Sequence, residues 1–108
     1  MARLVSHLTS IALQAPSAAA AALQQTGEDI ANLASQLAPV KTGALRDSIR
    51  AKSVSKGLVL VGTDKEYAIY VEYGTSESAA QSFLTPAFLQ SEATFRLRLK
   101  QEIERILK

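Results

Sequence analysis

A chain of 108 residues has room for one domain and little for two. With 47% hydrophobic and 20% charged residues its composition is globular, and a formal charge of +2 is too small a bias to name nucleic acid as its partner. The absence of cysteine excludes disulfides, thiol catalysis and cysteine metal sites, and no apolar run approaches the roughly 18 residues of a membrane span.

Leu4, Leu8, Ile11 and Ala15 recur at helical spacing, which predicts a helix over residues 2–14. Arg3 ahead of an apolar run has the look of a secretory signal. His7, Thr9, Ser10 and Gln14 interrupt that run, so the start of an amphipathic helix is the better reading. Pro16 then kinks this helix or opens the next one.

From Ser17 to Ala38 the chain is rich in alanine, leucine and glutamine, which predicts a long helix that Pro39 ends. Leu23, Ile30, Leu33 and Leu37 mark one side, with Ala34 and Gly27 on or near it. Small residues there admit a second backbone, either a sheet of the same subunit or a helix of a neighbour. Next, Thr42 is placed to cap a short helical turn over Gly43 to Asp47. Ile49, Ala51 and Ser53 alternate with Arg50, Lys52 and Val54, giving a strand near residues 48–55 with one basic face. Ser55-Lys56-Gly57 is a turn and Leu58 to Gly62 a strong strand, so the two strands form a hairpin at the centre of the expected sheet.

Tyr67 to Tyr73 satisfies both periods. Period two aligns Tyr67, Ile69, Val71 and Tyr73, whereas period 3.6 aligns Tyr67, Tyr70 and Val71. The helix is preferred, because Gly74 follows as a stop. Thr75 to Ser82 is small and polar, and Pro86 suits the first turn of a final helix through Leu107. On that helix Phe88, Phe95, Leu99, Ile103 and Ile106 form a stripe, while Gln90, Thr94, Arg98, Gln101 and Arg105 lie opposite. The expected fold is a single α+β domain: a small antiparallel sheet packed by a long N-terminal helix and a C-terminal helix.

No catalytic spacing emerges. His7 is the one histidine, and the chain has neither G-x-S-x-G nor a phosphate-binding glycine motif, so no enzyme, metal or cofactor is expected. Glu72, between Val71 and Tyr73, is the best candidate for a specially placed charge. If buried it needs a donor, and Arg46 or Arg50 would supply a guanidinium; the alternative is a solvent-facing glutamate.

Three blocks carry a resemblance. They are "APVKTGALRDSI" (Ala38 to Ile49), "YAIYVEYGT" (Tyr67 to Thr75) and "SFLTPAF" (Ser82 to Phe88). In this order they resemble a family of head–tail joining proteins of long-tailed phages and prophages, labelled neck, tail-completion or tail-component proteins. The matching positions include Pro39, Thr42, Gly43, Leu45 and Arg46 in the first block, Tyr67, Tyr70, Glu72, Gly74 and Thr75 in the second, and Phe83 and Pro86 in the third. Ser82 departs from the pattern, which usually has proline there.

The resemblance implies a non-enzymatic virion subunit at the head–tail junction, assembled in the host cytoplasm. Its implied partners are copies of itself in a six-fold or twelve-fold ring, the adjacent head-connector and tail proteins, and DNA passing nonspecifically through the lumen. A membrane partner is not implied. In such a ring Arg50, Lys52 and Lys56 would face the lumen, or would simply solvate an exposed sheet face. Residues 74–85 would be a mobile loop ordering against a neighbour, with Tyr73, Phe83 and Phe88 at the buried centre of the contact and Gly74, Thr75, Ser76 and Gln81 around it. Alternatively Phe83 and Phe88 belong to the subunit's own core. The competing functional class is a small binding module or regulator that touches nucleic acid through Arg50, Lys52 and Lys56.

Overall fold

The structure is a computed structural model that describes residues 2–5, 10–39 and 43–107. Four antiparallel strands form one sheet in the order β1-β2-β4-β3: β1 is Ala2–Val5, β2 Ser10–Gln14, β3 Arg50–Ser55 and β4 Leu58–Gly62. Between β2 and β3 run a single 3-10 turn (Ser17–Ala19), α1 (Ala20–Leu37) and the short α2 (Ala44–Ser48). After β4 come α3 (Ala68–Tyr73) and α4 (Leu84–Leu107).

The first 14 residues correct the expected helix, since both described segments there are strands. Pairing decides the matter. Along β2, Ile11 and Leu13 turn inward and are buried, standing opposite Val61 and Val59 of β4, which are buried as well. A hairpin of two strands alone is marginal in water, and β2 occupies the edge of β4 that would otherwise be bare. Cross-strand burial of Ile11 and Leu13 overrides a helical spacing that four positions met by coincidence. The β3–β4 hairpin is therefore only half central: β4 is interior and β3 is an edge strand. His7, Leu8 and the cap assigned to Thr42 lie outside the described residues.

Pro16 opens a new element, capping the 3-10 turn that leads into α1. α1 lies on the sheet across β2, β3 and β4, and α4 rests mainly on α1, reaching the sheet at β2. The core between these layers holds Leu23, Ile30 and Ala34 of α1, Ile11, Leu13, Val59 and Val61 of the sheet, and Phe83, Leu84 and Ala87 at the start of α4. Gly27 settles the use of the small-residue side: a Cβ there would lie 2.7 Å from Val59 Cγ1 and 3.5 Å from the Ala51 Cβ. The helix approaches its own subunit's sheet over this glycine. Gly27→Val is therefore expected to lower stability by roughly 1–3 kcal/mol through overpacking, read by urea denaturation. A variant as stable as the parent would contradict that close approach.

Arg98 lies on the face of α4 that the sequence assigns to solvent, yet it turns to α1. Its Nη1 is 2.6 Å from Asp29 Oδ2 and donates to Thr26 Oγ1 at 3.2 Å. Thr26 is buried, so the guanidinium satisfies a hydroxyl that would otherwise have to leave the core. The apolar stripe of α4 is inward at Phe95 but not throughout. Leu89, Leu97, Ile103 and Leu107 are exposed, and the side chain of Ile106 lies outside the described residues. Among the described residues no helix is long and apolar enough to cross a membrane.

Candidate functional site

Glu72 organises the region that carries the matching motifs. α3 ends at Gly74, whose φ of 78° is left-handed and whose N–H donates to the Tyr70 carbonyl at 2.8 Å. The chain then makes a loop and returns to the same helix end: Gln81 N–H donates to the Val71 carbonyl at 2.8 Å, and Ser82 Oγ donates to the Glu72 carbonyl at 2.6 Å. The Glu72 side chain, 1% exposed, receives the backbone that follows. Its Oε1 accepts from the N–H groups of Phe83 (3.2 Å) and Leu84 (2.9 Å), and its Oε2 from that of Thr85 (3.1 Å). These are donors that the first turn of α4 cannot satisfy internally, and the carboxylate also sits at the positive end of the helix dipole.

This geometry corrects two expectations. Neither arginine partners Glu72: Arg46 Nε pairs with Asp47 at 3.1 Å, and Arg50 Nη1 donates to the Ile49 carbonyl at 3.0 Å. Backbone N–H groups replace the guanidinium as partners, because a helix N-terminus offers several donors at no side-chain cost. Phe83 likewise lies in the core of its own subunit and not on the surface expected of it. Drawing residues 83–85 onto Glu72 turns the Phe83 ring inward, and it is 0% exposed in the core of its own subunit. Phe88 packs partly buried against that core. Pro86 lies in the first turn of α4, half-buried.

Beside this clamp is an open groove of about 540 Å³, walled by Pro39, Gly43 and Leu45 on one side and by Tyr67, Tyr70 and Val71 on another. Thr75, Ser78, Ala79 and Gln81 of the loop close a third side. The tyrosines stay in water, Tyr67 45% and Tyr70 61% exposed. The groove thus brings Pro39, Gly43 and Leu45 of the first motif block together with Tyr67, Tyr70, Val71 and Thr75 of the second, and adds Ser78 and Ala79 to the residues singled out in the sequence. Period 3.6 had already put Val71 beside Tyr67 and Tyr70; Ser78 and Ala79 carried no signal, being small loop residues brought in by the return of the chain to α3.

The loop has local structure of its own. Thr75 Oγ1 accepts from the N–H groups of Glu77 (3.2 Å) and Ser78 (3.0 Å), and Thr75 N–H donates to the Ser78 carbonyl at 2.8 Å. All of residues 75–82 are exposed, Ser76 among them. Tyr73 is exposed outside the groove; partial burial, and then the neighbouring Glu72 charge, push its phenol above the ordinary value of 10.0. The hydroxyl therefore remains a donor at neutral pH. Gly74 permits the turn: besides its positive φ, a Cβ there would meet Ala80 N at 2.7 Å and Ser78 O at 2.9 Å. Gly74→Ala is expected to cost about 1–3 kcal/mol and lower the melting temperature; an unchanged melting curve would contradict a fixed loop start.

The basic residues lie elsewhere. Arg50 and Lys52, both exposed on β3, line a broad hollow of about 740 Å³ on the sheet side together with Lys65, Asp47 and Asp64. Lys56 sits in the β3–β4 turn and is not part of it. The two aspartates dilute the positive field, so the structure does not gather the three predicted cations into one patch. Among the described residues no group of three or more His, Cys, Asp or Glu side chains is placed to hold a metal.

Fold and surface define a small α+β protein that carries, among its described residues, an apolar, tyrosine-walled groove. A family model described as "Bacteriophage HK97-gp10, putative tail-component" matches residues 2–74. The chain belongs to that family of phage tail and head–tail joining structural proteins, a non-catalytic family. The match takes in Glu72 and the two groove walls made by Pro39, Gly43 and Leu45 and by Tyr67, Tyr70 and Val71, and it ends at Gly74, before the loop side of the groove and the third motif block. Comparison with curated proteins and with solved structures gives no match.

Proposed function

We propose that the protein is a head–tail joining subunit that assembles with copies of itself into a ring through which DNA passes, between the head connector and the tail. The observation that carries this reading is the groove: the family motifs hold two solvent-exposed tyrosines, Tyr67 and Tyr70, around an apolar hollow that buried Leu45 helps to line. Tyrosine in a half-open apolar hollow is typical of protein contact surfaces. At such a joint the exposed Thr75–Ser82 loop, mobile in the free subunit, orders on the neighbour, with Thr75, Ser76 and Gln81 as its polar rim and Tyr73 at its edge. Arg50 and Lys52 face the channel, where their diluted charge gives DNA weak and nonspecific attraction suited to passage.

Native mass spectrometry of the purified chain over a range of concentrations tests this. A closed six-fold or twelve-fold species is expected. A monomer at every concentration, together with tailed and infectious particles from a phage lacking the gene, would rule the reading out.

A further inference from the structure

Two apolar surfaces of the described chain have nothing of its own against them. One is the tyrosine groove. The other is a ridge on the distal part of α4, where Leu99, Ile103 and Leu107 recur every four residues. Ile103 is 46% and Leu107 79% exposed, and Arg96 and Lys100 stand beside Leu99 and Ile103 around a shallow hollow. At about 100° per residue the ridge lies to one side of the inward face that Ala87, Phe95 and Arg98 define, so α1 does not cover it.

We propose that the Leu99–Ile103–Leu107 ridge of one copy docks into the Tyr67/Tyr70 groove of the next. This rests on the ring reading and names its joint. Charge favours this occupant. Glu66 and Glu77, exposed and next in the chain to the groove residues Tyr67 and Ser78, have no ion-pair partner among the described residues. The ridge brings Lys100, equally unpaired, and exposed Arg96, whose only ion-pair partner among the described residues is Glu92 on its own helix, against the single acid Glu104 of the hollow. An amphipathic helix in an apolar groove uses this anchor spacing.

Geometry requires that a ridge docked in this groove come from a second copy. Glu72 ties the start of α4 to α3, a wall of the groove. Leu99 and Leu107 lie 15 and 23 residues further along the same helix, or about 22 and 34 Å at 1.5 Å per residue. A straight helix cannot bring its own ridge back to its own groove. Ridge and groove are different patches, so the contact is head-to-tail; such a contact closes into a ring where its rotation divides the circle and runs on as a filament where it does not.

The chain has no cysteine, so single introduced thiols report contacts cleanly. Ser78→Cys and Ile103→Cys, mixed and treated with a short bismaleimide, are expected to give a covalent pair that neither variant gives alone. Ile103→Glu is expected to abolish the assembled species in native mass spectrometry while leaving the monomer's melting curve within a few degrees of the parent's. Leu97→Glu, also on an exposed position of α4, should assemble normally. Assembly by Ile103→Glu, absence of the mixed pair, or crosslinking of Ile103→Cys to itself through paired α4 tails would overturn this joint and leave the ring reading standing. A parent chain that never assembles overturns this joint, and together with infectious particles from a phage lacking the gene it overturns the ring reading too.

Discussion

Glu72→Ala is expected to destabilise the isolated subunit by about 3 kcal/mol or more, a fall of roughly 10–20 °C in melting temperature. Three backbone N–H groups, of Phe83, Leu84 and Thr85, lose a charged acceptor at once, in a place where water cannot replace it fully. Hydrogen bonds to a charged partner contribute about 1.5–3 kcal/mol each, but they act here as one unit and do not add. Glu72→Gln should fall between parent and alanine variant, since the amide keeps one acceptor oxygen, turns an N–H₂ group toward a donor and loses the attraction to the helix dipole. Arg46→Ala should cost no more than about 1 kcal/mol, because its ion pair with Asp47 is exposed, and its effect should simply add to that of Glu72→Gln. Thermal melts followed by far-ultraviolet circular dichroism read the parent, the three single variants and the Arg46→Ala/Glu72→Gln double variant. A loss under about 0.5 kcal/mol for Glu72→Ala would show that the clamp does not hold α4.

Phe83→Ala carries the second large effect, about 3–5 kcal/mol, from the lost burial of the ring and the cavity it leaves. Such a loss is a large part of the ~5–15 kcal/mol that keeps a domain folded, so the isolated subunit should melt far lower or fail to fold. This is the opposite of what an interface aromatic would do. Phe83→Leu, which keeps most of the volume, should recover most of the stability and assemble as the parent does. A Phe83→Ala monomer as stable as the parent, yet unable to assemble, would return Phe83 to the interface and contradict its place in the core.

The elements that repeat a pattern over many residues were legible in the sequence: α1 from its alanine-rich run, α4 from its stripe, the β3–β4 hairpin from alternation around Lys56-Gly57, and α3 from Tyr67, Tyr70 and the Gly74 stop. β1 and β2 were not, because four or five residues satisfy helical and extended periods alike, and only the pairing of Ile11 and Leu13 with Val61 and Val59 separates them. The groove was half legible. Its α2 and α3 walls coincide with the motif blocks, whereas Ser78 and Ala79 enter through the return of the loop to Val71 and Glu72. Glu72 stood out as the best candidate for a specially placed charge, in need of a donor if buried. Its partners escaped sequence reasoning because backbone N–H groups are present at every residue and so leave no compositional mark. Phe83 was misassigned for the same reason, since the clamp that turns it inward is made by the backbone on either side of it.

Cryo-electron microscopy of the full chain at a concentration where it assembles tests most directly whether the tyrosine groove is a subunit joint. The expected result is a closed ring in which Tyr67 and Tyr70 are covered at every joint by α4 of the neighbour, with Arg50 and Lys52 toward the channel. A ring with those tyrosines bare, or joined through the α1 face, would contradict it.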